Sequence, residues 1–193
     1  MLSINGLILT GGKSSRLGQE KAFINYHGKP QVMYLYDLLQ SLGLDVFISC
    51  NPDQVTSFQR TDRLLIDKRE FIGPIGGIFT AMSAQPDRDW LVVACDMPMI
   101  SKKTLQHLLD HDEGQRIITY KSKEKAFPEV LLTIYKKEIF PAIRQAVENE
   151  NYSLQRLLKE VETRFIAPED EITLVNVNTA EDLAKINRLI KGK

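Results

Sequence analysis

The sequence predicts one α/β domain over residues 1–193: a doubly wound, mostly parallel sheet with helices on both faces. Three observations lead there. Short β-branched apolar runs alternate with longer stretches at helical spacing, the pattern of βαβ crossovers. The clearest strand candidates, "GLILT" and "WLVVAC", are apolar throughout, as strands buried on both faces are. The chain is 193 residues long, 43% hydrophobic and 26% charged, which suits one soluble globular domain that needs no disulfide or metal staple.

"GLILT" from Gly6 to Thr10 reads as the first strand. "QVMYLYDLLQSLG" repeats Val32, Leu35, Tyr36, Leu38 and Leu39 at helical spacing and stops at Gly43, a C′ glycine. "DVFIS" and "RLLID" read as strands two and three, with a short polar segment after Asn51. "GPIGGIFTAMSAQ" reads as a helix despite its glycines, and "WLVVAC" as the fourth strand. Ser101 is placed to cap "KKTLQHLLDHD". "RIITYK" and "EVLLTIY" read as strands. "KEIFPAIRQAVENE" and "SLQRLLKEV" are amphipathic helices, with Pro141 marking a kink or a start in the first. "TRFIA" is a late strand, and Thr179 to Asp182 resembles a capping box leading into "LAKINRLIKG". No internal repeat, low-complexity tract or linker interrupts this order.

Composition excludes several function classes. Lys plus Arg equals Asp plus Glu at 25 each, so no global field draws in nucleic acid or an anionic membrane. An anionic ligand has to be held by a local cluster. Cys50 and Cys95 lack Cys-x-x-Cys spacing and read as small buried hydrophobes, not as a disulfide or a zinc knuckle. "MLSINGLILTGG" lacks the features of a signal peptide, and no apolar run approaches the ~20 residues of a membrane helix. The expectation is a cytoplasmic protein. In the absence of an exposed hydrophobic stripe, it is expected to be a monomer.

Ligands of open α/β sheets gather beyond the carboxyl ends of the strands. The first such end reads "LILTGGKSSRLGQEKA". It lacks the Walker spacing, since Gly18 is followed by Gln19, and it lacks the third glycine of a dinucleotide fingerprint. Gly11 and Gly12 still let backbone N–H groups curl around an anion. Lys13, Arg16 and Lys21 add cations suited to phosphate, and a solvated turn is the alternative. In "WLVVACDMP", Asp96 stands at a strand's carboxyl edge. It can hold Mg2+ through one carboxylate while phosphate oxygens fill other positions, or it can simply form the turn. Asp67 follows a third run, ahead of Gly73, Gly76 and Gly77, which suit either ligand approach at a helix N-terminus or tight helix packing. Asn51, Asn176 and Asn178 are further polar residues near strand ends or before the last helix. His107 and His111 have the spacing of a zinc pair but no third ligand nearby, and His27 reads as a solvated loop residue.

"LILTGGKSSRLGQEKAFINYHGKP", "GPIGG", "ACDMP" and "NVNTAEDL" together resemble the molybdenum cofactor guanylyltransferases, members of the nucleotidyltransferases of Rossmann-like, nucleotide-diphospho-sugar transferase-like fold. The likeness runs from the first strand to the last helix and is weakest from Glu124 to Tyr152. It implies transfer of GMP from GTP to the phosphate of molybdopterin, with Mg2+ as cofactor and pyrophosphate released. It further implies that Leu9, Thr10 and Gly11 line the guanine and ribose side, while Gly12, Arg16 and Lys21 face the triphosphate. Asn51 and Asp67 would bind the nucleoside, and Asp96 both nucleotide and metal. Lys21, Arg16 and Asp96 would be the catalytic residues, and Gly76, Gly77, Asn176 and Asn178 the pterin side of the cleft. Transient contacts with other proteins of molybdenum cofactor biosynthesis are implied too. Thr10 stands where the family usually has Ala, and Glu20 where Asp is usual. The competing readings are a molybdopterin cytidylyltransferase, a related sugar-phosphate nucleotidyltransferase, and a nucleotide-sensing domain without turnover.

Overall fold

The computed structural model describes residues 3–11, 17–58, 63–67 and 73–192. The predicted strands are β1 (Ile4–Leu9), β2 (Asp45–Cys50), β3 (Leu64–Ile66), β4 (Asp89–Ala94), β5 (Ile117–Tyr120), β6 (Leu132–Tyr135) and β7 (Thr163–Ile166). The predicted helices are α1 (Gln31–Gln40), α2 (Pro74–Ala84), α3 (Lys102–Asp110), α4 (Phe140–Glu148), α5 (Leu154–Glu160) and α6 (Ala180–Lys191). Local chemistry sets several boundaries. Gly43 ends α1 with φ at 79°, in the left-handed region that favours glycine. Ser101 Oγ accepts from Thr104 N–H at 3.2 Å, and Thr179 Oγ1 from Asp182 N–H at 3.1 Å. Pro141 marks a start, standing in the first turn of α4 where its missing N–H costs nothing.

The sheet order is β3-β2-β1-β4-β6-β5-β7. β1 pairs in parallel with both β2 and β4, β2 with β3, and β5 with β7. β6 runs antiparallel to β4 and β5, so the connection from β5 to β6 reverses the chain without a helix. The chain moves outward from β1 to β3 and then returns to the other side of β1 as β4. This change of direction opens a crevice beyond the carboxyl ends of β1 and β4.

Both faces are covered. Ile8, Val46, Ile48, Leu91 and Val93 pack with Leu35, Leu39, Leu105 and Leu108 from α1 and α3. Leu7, Leu9, Phe47, Trp90 and Val92 pack with Ile75, Ile78, Ile143 and Leu157 from α2, α4 and α5. Each such aliphatic side chain contributes about 1.5–3 kcal/mol through burial. A third, smaller cluster joins Ile24 and Tyr26, after β1, to Val177 and Ile186. It brings the C-terminal segment beside the crevice. No described helix is long and apolar enough to cross a membrane.

Candidate active site

Neighbouring parallel strands put five of the sequence-predicted residues, at four strand ends, in a row along one rim. In sheet order these are Asp67 after β3, Asn51 after β2, Thr10 and Gly11 after β1, and Asp96 after β4. Asp67 N–H donates to Cys50 O at 2.9 Å, extending the ladder by one bond. Asn51 caps the 3-10 turn Pro52–Ser57, accepting from Gln54 N–H at 3.0 Å. Thr10 is buried, and its hydroxyl proton faces Ser49 O at 2.8 Å and Gln54 Oε1 at 3.1 Å. Gly11 is exposed, with open space where a Cβ would stand. Gly12, Lys13 and Arg16 lie outside the described residues.

Lys21, on a short 3-10 turn, joins three parts of the chain. Its Nζ donates to Asn178 Oδ1 at 2.6 Å and to Asp96 Oδ2 at 3.3 Å, both carboxylate and amine being 18% exposed. Asp96 Oδ1 is buried and has no hydrogen-bond partner among the described residues. The C-terminal segment is pinned from several directions. Val177 N–H donates to Asp96 O at 2.7 Å, and Asp182 Oδ2 accepts from Asn178 N–H at 3.0 Å. Asn176 accepts from Lys125 Nζ at 3.2 Å, and the same ammonium reaches Leu174 O. Lys125 also lies 3.5 Å from Glu129, whose carboxyl burial pushes above the ordinary glutamate range. The Leu131 N–H bond and Lys125 oppose that shift, and Asp96 adds to it. Each asparagine expected on the acceptor side is thus held by its own lysine.

Gly76 and Gly77 are buried in the first turn of α2; the preceding turn residue is Gly73, with φ at 65°. A Cβ on Gly77 would stand 2.5 Å from Ser49 Oγ and 2.7 Å from Leu9 Cδ2. This glycine lets α2 lie directly on the ends of β1 and β2, the packing use that the sequence left open.

Other expectations divide. Both cysteines are buried thiols, with burial pushing Cys50 up to about 11 and Cys95 further up. His27, read as solvated, is half-buried. Its Nε2 bonds to Pro98 O at 2.8 Å and its ring stacks on Tyr34 at 3.8 Å, because the loop folds back against the turn after β4. The Nδ1 atoms of His107 and His111 go to Tyr120 Oη at 2.9 Å and His107 O at 2.8 Å. Sequence reasoning missed Gln54, Lys125 and Glu129. Gln54 carried a signal, standing three residues after Asn51 in capping-box spacing. Lys125 and Glu129 carried none.

The rim offers a cation, one carboxylate with an unpartnered oxygen, fixed amides and exposed backbone. No group of three or more His, Cys, Asp or Glu among the described residues is placed to hold a cation. A hard ion bound here would draw one ligand from Asp96 and the rest from phosphate and water, which fits Mg2+ better than zinc.

A model of the MobA-like NTP transferase domain matches residues 6–165. A probable molybdenum cofactor guanylyltransferase from Flavobacterium johnsoniae is 30% identical over 192 residues, covering 97% of this chain and 98% of that protein. A molybdenum cofactor biosynthesis bifunctional protein from Synechocystis is 33% identical over 94% of this chain, which spans 53% of that relative's length. Among solved structures, the molybdopterin-guanine dinucleotide biosynthesis protein A of Archaeoglobus fulgidus has the same fold. The TM-score is 0.81 at 20% identity, with 98% of this chain and 100% of that one covered. With a lysine and an aspartate facing each other at the switch point and a family match over most of its length, the chain belongs to the MobA-like NTP transferases.

Proposed function

We propose that this nucleotidyltransferase moves GMP from GTP to the phosphate of molybdopterin, giving the guanine dinucleotide form of the molybdenum cofactor. An acceptor phosphate oxygen forms the new bond to the α-phosphorus. The bond from that phosphorus to the bridging oxygen breaks, and pyrophosphate leaves with the electron pair. No enzyme nucleophile is needed, so catalysis rests on positioning and charge stabilisation.

The observation that carries this reading is the single ammonium of Lys21 set between Asp96 and Asn178. In this reading one partner serves the nucleotide and the other the acceptor. Lys21, with Arg16 and Gly12, stabilises charge that builds on the phosphates. Leu9, Thr10, Gly11, Asn51 and Asp67 hold the nucleoside. Asn176 and Asn178, with the backbone at Gly76 and Gly77, face the pterin. Asp96 holds the nucleotide and Mg2+, which when bound neutralises phosphate charge and orients the reacting groups. The same reading has the protein acting as a cytoplasmic monomer that meets other proteins of cofactor biosynthesis transiently.

The test is thermal unfolding with GTP, CTP, ATP and UTP, each with and without Mg2+, followed by transfer to molybdopterin with the best nucleotide. A ligand at a hundred times its Kd adds about 2.7 kcal/mol, several degrees in midpoint. The expected result is a shift with GTP, largest with Mg2+, and guanylyl transfer. A larger shift with CTP would replace this reading with cytidylyl transfer. Binding without transfer would replace it with a nucleotide sensor.

A further inference from the structure

A buried amide under the nucleotide side of the rim connects groups that the reading above uses separately. Gln54 is 5% exposed. Its N–H donates to Asn51 Oδ1 at 3.0 Å, its Oε1 accepts from Asn51 N–H at 3.2 Å, and the same oxygen lies 3.1 Å from Thr10 Oγ1, whose proton it shares with Ser49 O at 2.8 Å. Its Nε2 donates to Glu20 Oε2 at 2.9 Å. Chemistry fixes these orientations. A backbone N–H only donates and a carboxylate only accepts, so the Gln54 oxygen faces Asn51 and its nitrogen faces Glu20. By the same logic Asn51 commits its oxygen inward, leaving its NH2 to meet a ligand. Thr10 turns its proton inward too. Glu20 directly precedes Lys21, and its carbonyl accepts from Phe23 N–H at 3.1 Å, closing the turn that carries the lysine.

We infer that Gln54 is a positioning residue: it fixes Asn51 as a hydrogen-bond donor toward an acceptor atom of the nucleoside and, through Glu20, ties that setting to the position of Lys21. The inference rests on the nucleotide reading given above. It assigns a task to Glu20 and Thr10. Both are partners of one side chain, so nucleoside recognition and phosphate alignment share a single support.

The decisive experiment exchanges donor and acceptor across the Gln54–Glu20 contact. Gln54→Glu keeps the oxygens that face Asn51 and Thr10 but sets a carboxylate against Glu20. The double variant Glu20→Gln/Gln54→Glu restores a donor and an acceptor in the opposite sense. For each, the Kd of GTP with Mg2+, the kcat and KM of transfer, and the melting temperature are measured. Gln54→Glu is expected to weaken GTP binding and lower kcat, each by about tenfold or more, since a charge-assisted bond is lost. The double variant should recover both to within a few-fold. If Gln54→Glu and the double variant match wild type in Kd and kcat, the inference is overturned while the nucleotide reading stands. The same follows if the double variant regains only its melting temperature, because Gln54 would then be structural. Should Gln54→Glu fail to fold, Glu20→Ala at the exposed end of the contact is read in its place, with the same tenfold losses in Kd and kcat expected and wild-type values overturning the inference. Wild-type protein that binds no nucleoside triphosphate would overturn the reading and the inference together.

Discussion

Strand β4 has a carboxylate near each end, and each meets a lysine, but the two pairs are built differently. At the amino end, Asp89 is buried and uses both oxygens. Oδ2 lies 2.7 Å from Lys136 Nζ, and Oδ1 accepts from Lys137 N–H at 2.9 Å. Lys136 also holds Asp112 at 2.8 Å. Burial works against the Lys136 charge, yet the bonds to Asp112 and Asp89 outweigh it and hold its pKa above the ordinary lysine value. At the carboxyl end the contact is looser, 3.3 Å from Lys21 to Asp96, and one carboxylate oxygen has no partner among the described residues. A closed network leaves nothing for a ligand to bind. An open one keeps capacity in reserve, which the proposed role of Asp96 requires.

The largest effect should come from opening the second pair. Asp96→Ala is expected to reduce transfer by more than about a thousandfold, the scale of a lost electrostatic anchor, with the unliganded melting temperature nearly unchanged. A steady-state assay beside a melting curve checks both halves, and normal turnover would remove Asp96 from the chemistry. Lys21→Ala comes next, with a loss of about a hundredfold to a thousandfold in kcat. A rise confined to KM would mean that Lys21 binds substrate and transition state equally.

Asp89→Ala should act in the opposite sense. It leaves Lys136 with Asp112 as its one carboxylate partner and takes the acceptor from Lys137 N–H, a loss worth about 1–3 kcal/mol. Calorimetry should show a clear fall in melting temperature, while kcat measured well below the transition stays at the wild-type value. A fall in kcat as large as that of Lys21→Ala would erase the contrast between the two ends.

The smallest effect concerns Glu129. Its folded pKa is raised, chiefly by burial, so its contribution to stability is full below the ordinary glutamate pKa and is lost as pH rises through the folded value. Glu129→Gln removes a charge that burial opposes while keeping an acceptor for Leu131 N–H, 3.0 Å away. The variant should melt slightly higher than wild type near neutral pH, with the gain vanishing below about pH 4. A gain that persists in acid would point to packing as its source.

Much of this arrangement was legible because β1 and β4 are apolar runs that stop abruptly, placing Thr10 and Asp96 on the rim before any coordinates are known. Lys21, as a cation after the first strand, and the asparagines, as polar residues near strand ends or before the last helix, stood out in the sequence, and the family resemblance gave them roles. The reversal of β6 was not read, although "RIITYK" and "EVLLTIY" have no helical pattern between them, and a crossover to a parallel strand would need one. Lys125 escaped because nothing periodic marks the loop that carries it, and its partners in the C-terminal segment lie 49 and 51 positions away. His27 misled for a related reason. A loop residue beside glycine suggests solvent, and only the folded chain reveals the carbonyl and ring that it meets. Local patterning announces where strands end, but it does not announce which distant side chains meet there.

The bond from Lys21 to Asn178 spans 157 positions. On the ribosome, Lys21 and Asp96 are made long before Asn178, and β1 can pair with β4 while the last segment is still being translated. A growing chain at that stage holds Lys21 and Asp96 with no Asn178 opposite them. The contacts of residues 174–178 with Lys21 and Lys125 are therefore completed late in synthesis.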